Sequence, residues 1–238
     1  GARALLDTAE QALARGVQWN AGTGAGDSAR VLQVATYGER AFLEWEAAGT
    51  EAAIAAWRRL PDTLRLPPVL EELGENLLRA CPQGGILFTA GDVDTYAAWF
   101  LQFAGGLRPD LLIVPLARWR ADTVFRGYIL RALDERDGSL RTLGERRALC
   151  ASLAFERPPE GRPPVRWKTR PLVWVAGQER PSDRVPAQDF AFAALRLAVD
   201  EQQTWSAPAL AVYRRAVSEV GALCRPLRTF GLRAEVGC

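Results

Sequence analysis

Ile86-Leu87-Phe88-Thr89-Ala90-Gly91-Asp92-Val93-Asp94-Thr95 opens as a short apolar run of β-forming residues and ends in an acidic turn. From there the period changes. Tyr96, Trp99, Phe100 and Phe103 stand at i, i+3, i+4 and i+7, one face of an amphipathic helix. Gly105-Gly106 ends that helix, Arg108-Pro109-Asp110 turns the chain, and residues 111–116 form a second apolar run of strand length. Strand, helix and strand within about 30 residues make a βαβ unit, which requires parallel strands and a right-handed crossover.

Helical patterns lie outward from this unit on both sides. Residues 2–15 repeat Leu and Ala at helical spacing, with Gly16 as a stop, and residues 29–60 read as two helices joined near Gly49. The phrase Glu51 to Trp57 looks like the second helix of a tetratricopeptide repeat, without a second copy of that pattern. The Gly-rich segment 22–28 lacks the Gly-Lys-Ser/Thr ending of a phosphate-binding P-loop, so Asp27 or Ser28 is expected to cap the following helix. Residues 69–80, 119–133, 140–155, 190–201 and 208–223 are further expected helices, 171–176 a third strand, and 232–236 a short closing strand. The fold class is therefore α/β: a small parallel sheet on a βαβ core, flanked by helices, with a TPR-like N-terminal hairpin. It divides into a helical region 1–80, the core 81–180 and a helical region 181–238.

The chain has 238 residues, enough for a substantial core, and its composition is that of an ordinary globular protein: 48% hydrophobic and 24% charged. Two residue types are missing altogether, histidine and methionine, and Lys168 is the single lysine among 30 basic residues. Without histidine there is no Ser-His-Asp or Cys-His unit and no imidazole zinc site. A net charge of +2 argues against nucleic acid as a partner, and no apolar run reaches the length of a membrane span. Cys81, Cys150, Cys224 and Cys238 show no C-x-x-C spacing; they allow free thiols or two disulfides in three connectivities. The absent initiator methionine leads to the expectation of an exported protein, periplasmic or extracellular, with the cytoplasm as the alternative.

Ligands of open parallel sheets bind beyond the carboxyl ends of the strands, which is where Gly91-Asp92-Val93-Asp94-Thr95 stands. Two carboxylates one residue apart can share a divalent cation such as Mg²⁺ or Mn²⁺ through oxygen ligands. The same residues can simply cap the helix that follows. Asp92 and Asp94 are thus the candidate metal ligands, Thr95 and Arg108 further ligand candidates, and Arg118 a second phosphate partner; no residue is assigned a catalytic role. Asp110, Asp122 and Asp134 add carboxylates only if the fold brings them close.

The string from Leu87 to Gln102, followed by 106–114, resembles the soluble C-terminal region of large polytopic membrane proteins related to protein O-mannosyltransferases. Gly91, Asp92, Asp94, Thr95, Trp99, Arg108 and Asp110 match that pattern, and Arg170-Pro171-Leu172-Val173-Trp174 is similar to a later strand of it. The resemblance spans residues 84–135 and 168–177; Val93 and Ala97 replace its asparagine and proline. It implies an extracytoplasmic α/β module with repeat-like flanks, and the transferase portion of those proteins is not in this chain. The expected function is a non-catalytic accessory or protein-interaction module, part of a larger assembly, with a protein partner that is itself membrane-associated. The alternative is a metal-dependent enzyme or binder of sugar nucleotides or phosphate ligands, built on the acidic loop.

Overall fold

The computed structural model describes residues 1–61 and 63–238. Four helices come first: α1 (Ala2–Trp19), α2 (Gly24–Ala48), α3 (Thr50–Trp57) and α4 (Pro68–Ala80). α1 runs one turn past the expected stop at Gly16. The cap of α2 is Thr23, whose hydroxyl accepts from the Gly26 N–H at 3.2 Å, so Asp27 falls inside the first turn instead of preceding it. α1 lies along α2, and their contact is ordered by Arg40, which reaches Asp7 at 2.8 Å and Glu10 at 3.1 Å.

The sheet begins with β1 (Ile86–Thr89), continues through α5 (Asp92–Trp99) and a π-turn (Phe100–Ala104), and returns as β2 (Leu112–Pro115). β1 and β2 are parallel, with Ile86 opposite Leu112 and Phe88 opposite Val114. The βαβ reading of the sequence is thus realised in register. The short helices α6 (Leu116–Ala121), α7 (Thr123–Ala132) and α8 (Leu140–Arg146) follow. Asp122 separates the first two by capping α7, its carboxylate accepting from Val124 N and Phe125 N at 2.9 Å each.

Residues 140–155 are not one helix. After α8 the chain enters β3 (Ala148–Ser152), every residue of which is buried. A helix of that length would bury one face; Leu149, Cys150 and Ala151 are all buried, in a central strand paired on both edges, as in a sheet covered on both faces. β3 is parallel to β1 and antiparallel to β5 (Val173–Gly177), which pairs antiparallel with the edge strand β4 (Lys168–Arg170). The order is β2-β1-β3-β5-β4, so the sheet is mixed, and the parallel arrangement is confined to its first three strands.

The chain closes with α9 (Ala193–Asp200), α10 (Ser206–Glu219), α11 (Cys224–Thr229) and α12 (Arg233–Val236). The last occupies the expected strand 232–236. Gly231 at φ 71° and Gly237 at φ 79° bend the backbone on either side of it, and the Cys224–Cys238 disulfide draws the ends of the segment together. A second disulfide, Cys81–Cys150, ties the end of α4 to the middle of β3. One continuous apolar core runs from Val31 in α2 to Val236 in α12. Leu87 and Phe88 of β1 lie at its centre, fully buried, each contributing about 1.5–3 kcal/mol relative to exposure. Gly74 lets α4 approach α5: a Cβ there would meet Ala97 and Leu101 at about 3.0 and 2.9 Å.

Candidate functional site

The acidic turn at the carboxyl end of β1 is packed into the fold. Asp94 occupies the third position of α5 and folds back on the loop before it. Its Oδ2 accepts from Ala90 N at 2.8 Å and its Oδ1 from Gly91 N at 2.9 Å, so both carboxylate oxygens hold backbone N–H groups. This is the returning half of a capping box. Asp94 is only 2% exposed. Burial pushes its carboxyl upward from the ordinary aspartate value, against the backbone donors and the Ser152 hydroxyl, which favour the ionised form.

Thr95 completes the turn. Its hydroxyl donates to Gly91 O at 2.6 Å, and because that uses its one proton, the 2.6 Å contact with Thr89 must run from Thr89 to Thr95. Thr89, Asp94, Thr95 and Ser152 therefore fill the crevice between β1 and β3, which is the point where the strand order reverses. Open α/β sheets take their ligands at such a point. Here it is occupied by the protein's own polar groups. Asp92, by contrast, is exposed in the first turn of α5, where its charge complements the helix dipole.

Arg108 lies at the opposite end of the strands. Its guanidinium has five N–H bonds and each has an acceptor. Nη1 donates to Leu78 O at 2.5 Å and Cys81 O at 3.0 Å; Nη2 donates to Pro82 O at 3.2 Å and Asp110 Oδ2 at 2.9 Å; Nε donates to Asp110 Oδ1 at 2.8 Å. Three of those acceptors are carbonyls at the end of α4 and just beyond it, which the helix itself leaves unpaired. Arg108 is thus a clamp that seals α4 against the entry to β2. It adopts φ 50°, and Gln102 Nε2 holds its carbonyl and that of Leu111 at 2.8 Å each.

Asp110 completes the clamp by accepting from Gly84 N at 2.8 Å. The Arg108 hydrogen bonds hold its carboxyl down at about 2, against the ordinary 3.8. A carboxyl lowered on folding stabilises the protein above its unfolded pKa and loses that contribution as pH falls through the folded value. Asp110→Asn is therefore expected to cost about 2 kcal/mol at neutral pH. Urea midpoints should show the gap closing from about pH 5 downward and nearly gone at pH 2. A gap independent of pH would show that the ion pair contributes nothing.

The four candidates from the sequence therefore separate. Asp94 and Thr95 come together with Thr89 and Ser152, Asp92 stays at the surface, and Arg108 acts at the other edge of the sheet. Ser152 had no signal in the sequence, because the strand that carries it reads as helix. Arg118 stacks on Phe42 and Phe125, 4.2 and 5.0 Å from the ring centroids, and pairs with Glu39 at 3.0 Å. Asp110 and Asp122 serve the contacts already described, and Asp134 follows α7 at φ 55°. Among the described residues, no three histidine, cysteine, aspartate or glutamate side chains stand close enough to share a metal ion.

Residues 70–122 match the family model of TMEM260-associated domain 2. The matched stretch is α4, β1, α5, β2 and α6, and it contains Gly91, Asp92, Asp94, Thr95, Trp99, Arg108 and Asp110, on which the resemblance to a region of polytopic membrane proteins rests. It covers under a quarter of the chain, and associates that part with a domain of a larger membrane protein. Among the described residues, no helix is itself long and apolar enough to cross a membrane. No curated protein and no solved structure matches the chain.

Proposed function

We propose that this chain is a non-catalytic interaction domain of a larger membrane protein, exposed to an oxidising, extracytoplasmic compartment. One observation carries the reading: apart from the exposed Asp92, the charged groups of the shared motif are consumed inside the fold. Both oxygens of Asp94 and all five donors of Arg108 have internal partners, so the motif acts as a brace that holds α4, β1, α5 and β2 in one arrangement. The two disulfides support the oxidising compartment, since such bonds persist where thiols are not kept reduced. The partner in this reading is another protein of the same assembly.

The competing reading places Mg²⁺ or Mn²⁺ and a sugar nucleotide at Asp92 and Asp94. Melting curves with and without Mg²⁺, Mn²⁺ and nucleotide sugars separate the two. The brace predicts no rise in melting temperature with any of them. A rise with Mn²⁺ that disappears in Asp92→Ala, whose side chain is exposed and supports no internal contact, would establish the metal site and remove this proposal.

A further inference from the structure

An open cleft lies away from the acidic turn, where the parallel strands begin. It has a volume of about 870 Å³ and is bounded by Gly84-Gly85 before β1, Leu111-Leu112 at β2 and Arg147 before β3. That volume is within the usual range for small-molecule sites. Its cationic residues come from three separate segments: Arg58 at the end of α3, Arg65 in the loop after it, and Arg147. None of the three forms an ion pair among the described residues. Arg147 makes one long contact, 3.5 Å to Leu133 O, and Arg65 also acts on the Glu71 carboxyl, which burial nonetheless keeps raised. The carboxylate that lines the cleft, Asp110, is already neutralised by Arg108.

The lining is also aromatic. Trp45, Trp57 and Phe103 belong to it, and Trp57 and Phe103 stack with centroids 6.3 Å apart and planes 10° from parallel. The Trp57 indole N–H is buried and has no acceptor among the described residues. A buried indole normally finds one. Guanidinium groups favour phosphate through paired N–H bonds, and an aromatic wall favours a flat or apolar body.

We propose that this cleft binds a small phosphate ester bearing a flat ring, with the phosphate among Arg58, Arg65 and Arg147 and the ring against Trp45 and Phe103. The site does not rest on the brace reading: Asp94 stands at the other end of the strands, and the one brace residue that lines the cleft, Asp110, is not among the groups assigned to the ligand. Phenyl phosphate is the probe. Titrated into the oxidised chain, it should shift the indole signals of Trp45 and Trp57 in a ¹H–¹⁵N spectrum, assigned by Trp45→Phe and Trp57→Phe. Arg58→Gln/Arg65→Gln, both exposed positions, should weaken binding at least tenfold with the rest of the spectrum unchanged, and Arg141→Gln on another face should not. Raising the salt concentration should weaken it as well. No saturable shift up to about 10 mM, equal binding in the double variant, or equal binding of neutral benzyl alcohol would each overturn the proposal.

Discussion

Arg108→Ala should lower the free energy of unfolding by about 3 kcal/mol and the melting temperature by roughly 10 °C. The substitution strips the internal acceptors at Leu78, Cys81 and Pro82 of their donor and leaves Asp110 without its counter-ion. Removing one partner of a half-buried pair costs more than the pair itself contributes, because the remaining groups keep their desolvation without compensation. Arg108→Lys should recover little, since one ammonium cannot serve five acceptors in a plane. Arg108→Gly separates two effects. It also loses the guanidinium, but it relaxes the backbone at φ 50°, so it should be about 1 kcal/mol less damaging than alanine. Equal stability of the wild type and Arg108→Ala in urea would sink the clamp.

The second large effect belongs to Cys81–Cys150. The bridge closes a loop spanning 69 residues, and on the chain-entropy argument the Cys81→Ser/Cys150→Ser protein should be about 4 kcal/mol less stable. The Cys224–Cys238 bridge spans 14 residues, and its removal should cost about 3 kcal/mol. The first loss reaches further, because Cys81 also presents its carbonyl to Arg108. The two sites share a partner, so combining Arg108→Ala with the cysteine pair should fall short of the sum. Unreduced protein should take up no maleimide, and reduced, unfolded protein should take up four. Uptake before reduction would mean that the thiols are free.

The sequence was most informative where one period governed a whole element. The apolar run 86–89 formed as β1, and the helical face of Tyr96, Trp99, Phe100 and Phe103 formed as α5 with the π-turn that continues it from Phe100. It misled where a short segment could satisfy either period. Ala148-Leu149-Cys150-Ala151 follows a true helix and is only four apolar residues long, so nothing local marks it as a strand; pairing with β1 and β5 decides the matter. Leu232 to Val236 alternates like a strand, yet two glycines and a disulfide turn it into one helical turn. The acidic turn was found, with its capping role among the readings, because Asp94 and its backbone partners are three and four residues apart. The role of Arg108 was hidden, since its carbonyl acceptors lie 26 to 30 residues away. The cleft had no signature at all: Arg58, Arg65 and Arg147 line it from segments up to 89 residues apart.

The arrangement of the two disulfides also bears on how the chain matures. They follow one another along the sequence, neither nested nor interleaved. During synthesis at about 5–20 residues per second, Cys150 emerges roughly 3 to 14 seconds after Cys81, before any later cysteine of this chain exists to compete with it. Cys224 and Cys238 then appear as an isolated couple. An oxidant acting on the growing chain makes the native connectivity by order of arrival, with no exchange step to correct it. Refolding of the fully reduced chain has no such ordering, and there all three connectivities compete from the start.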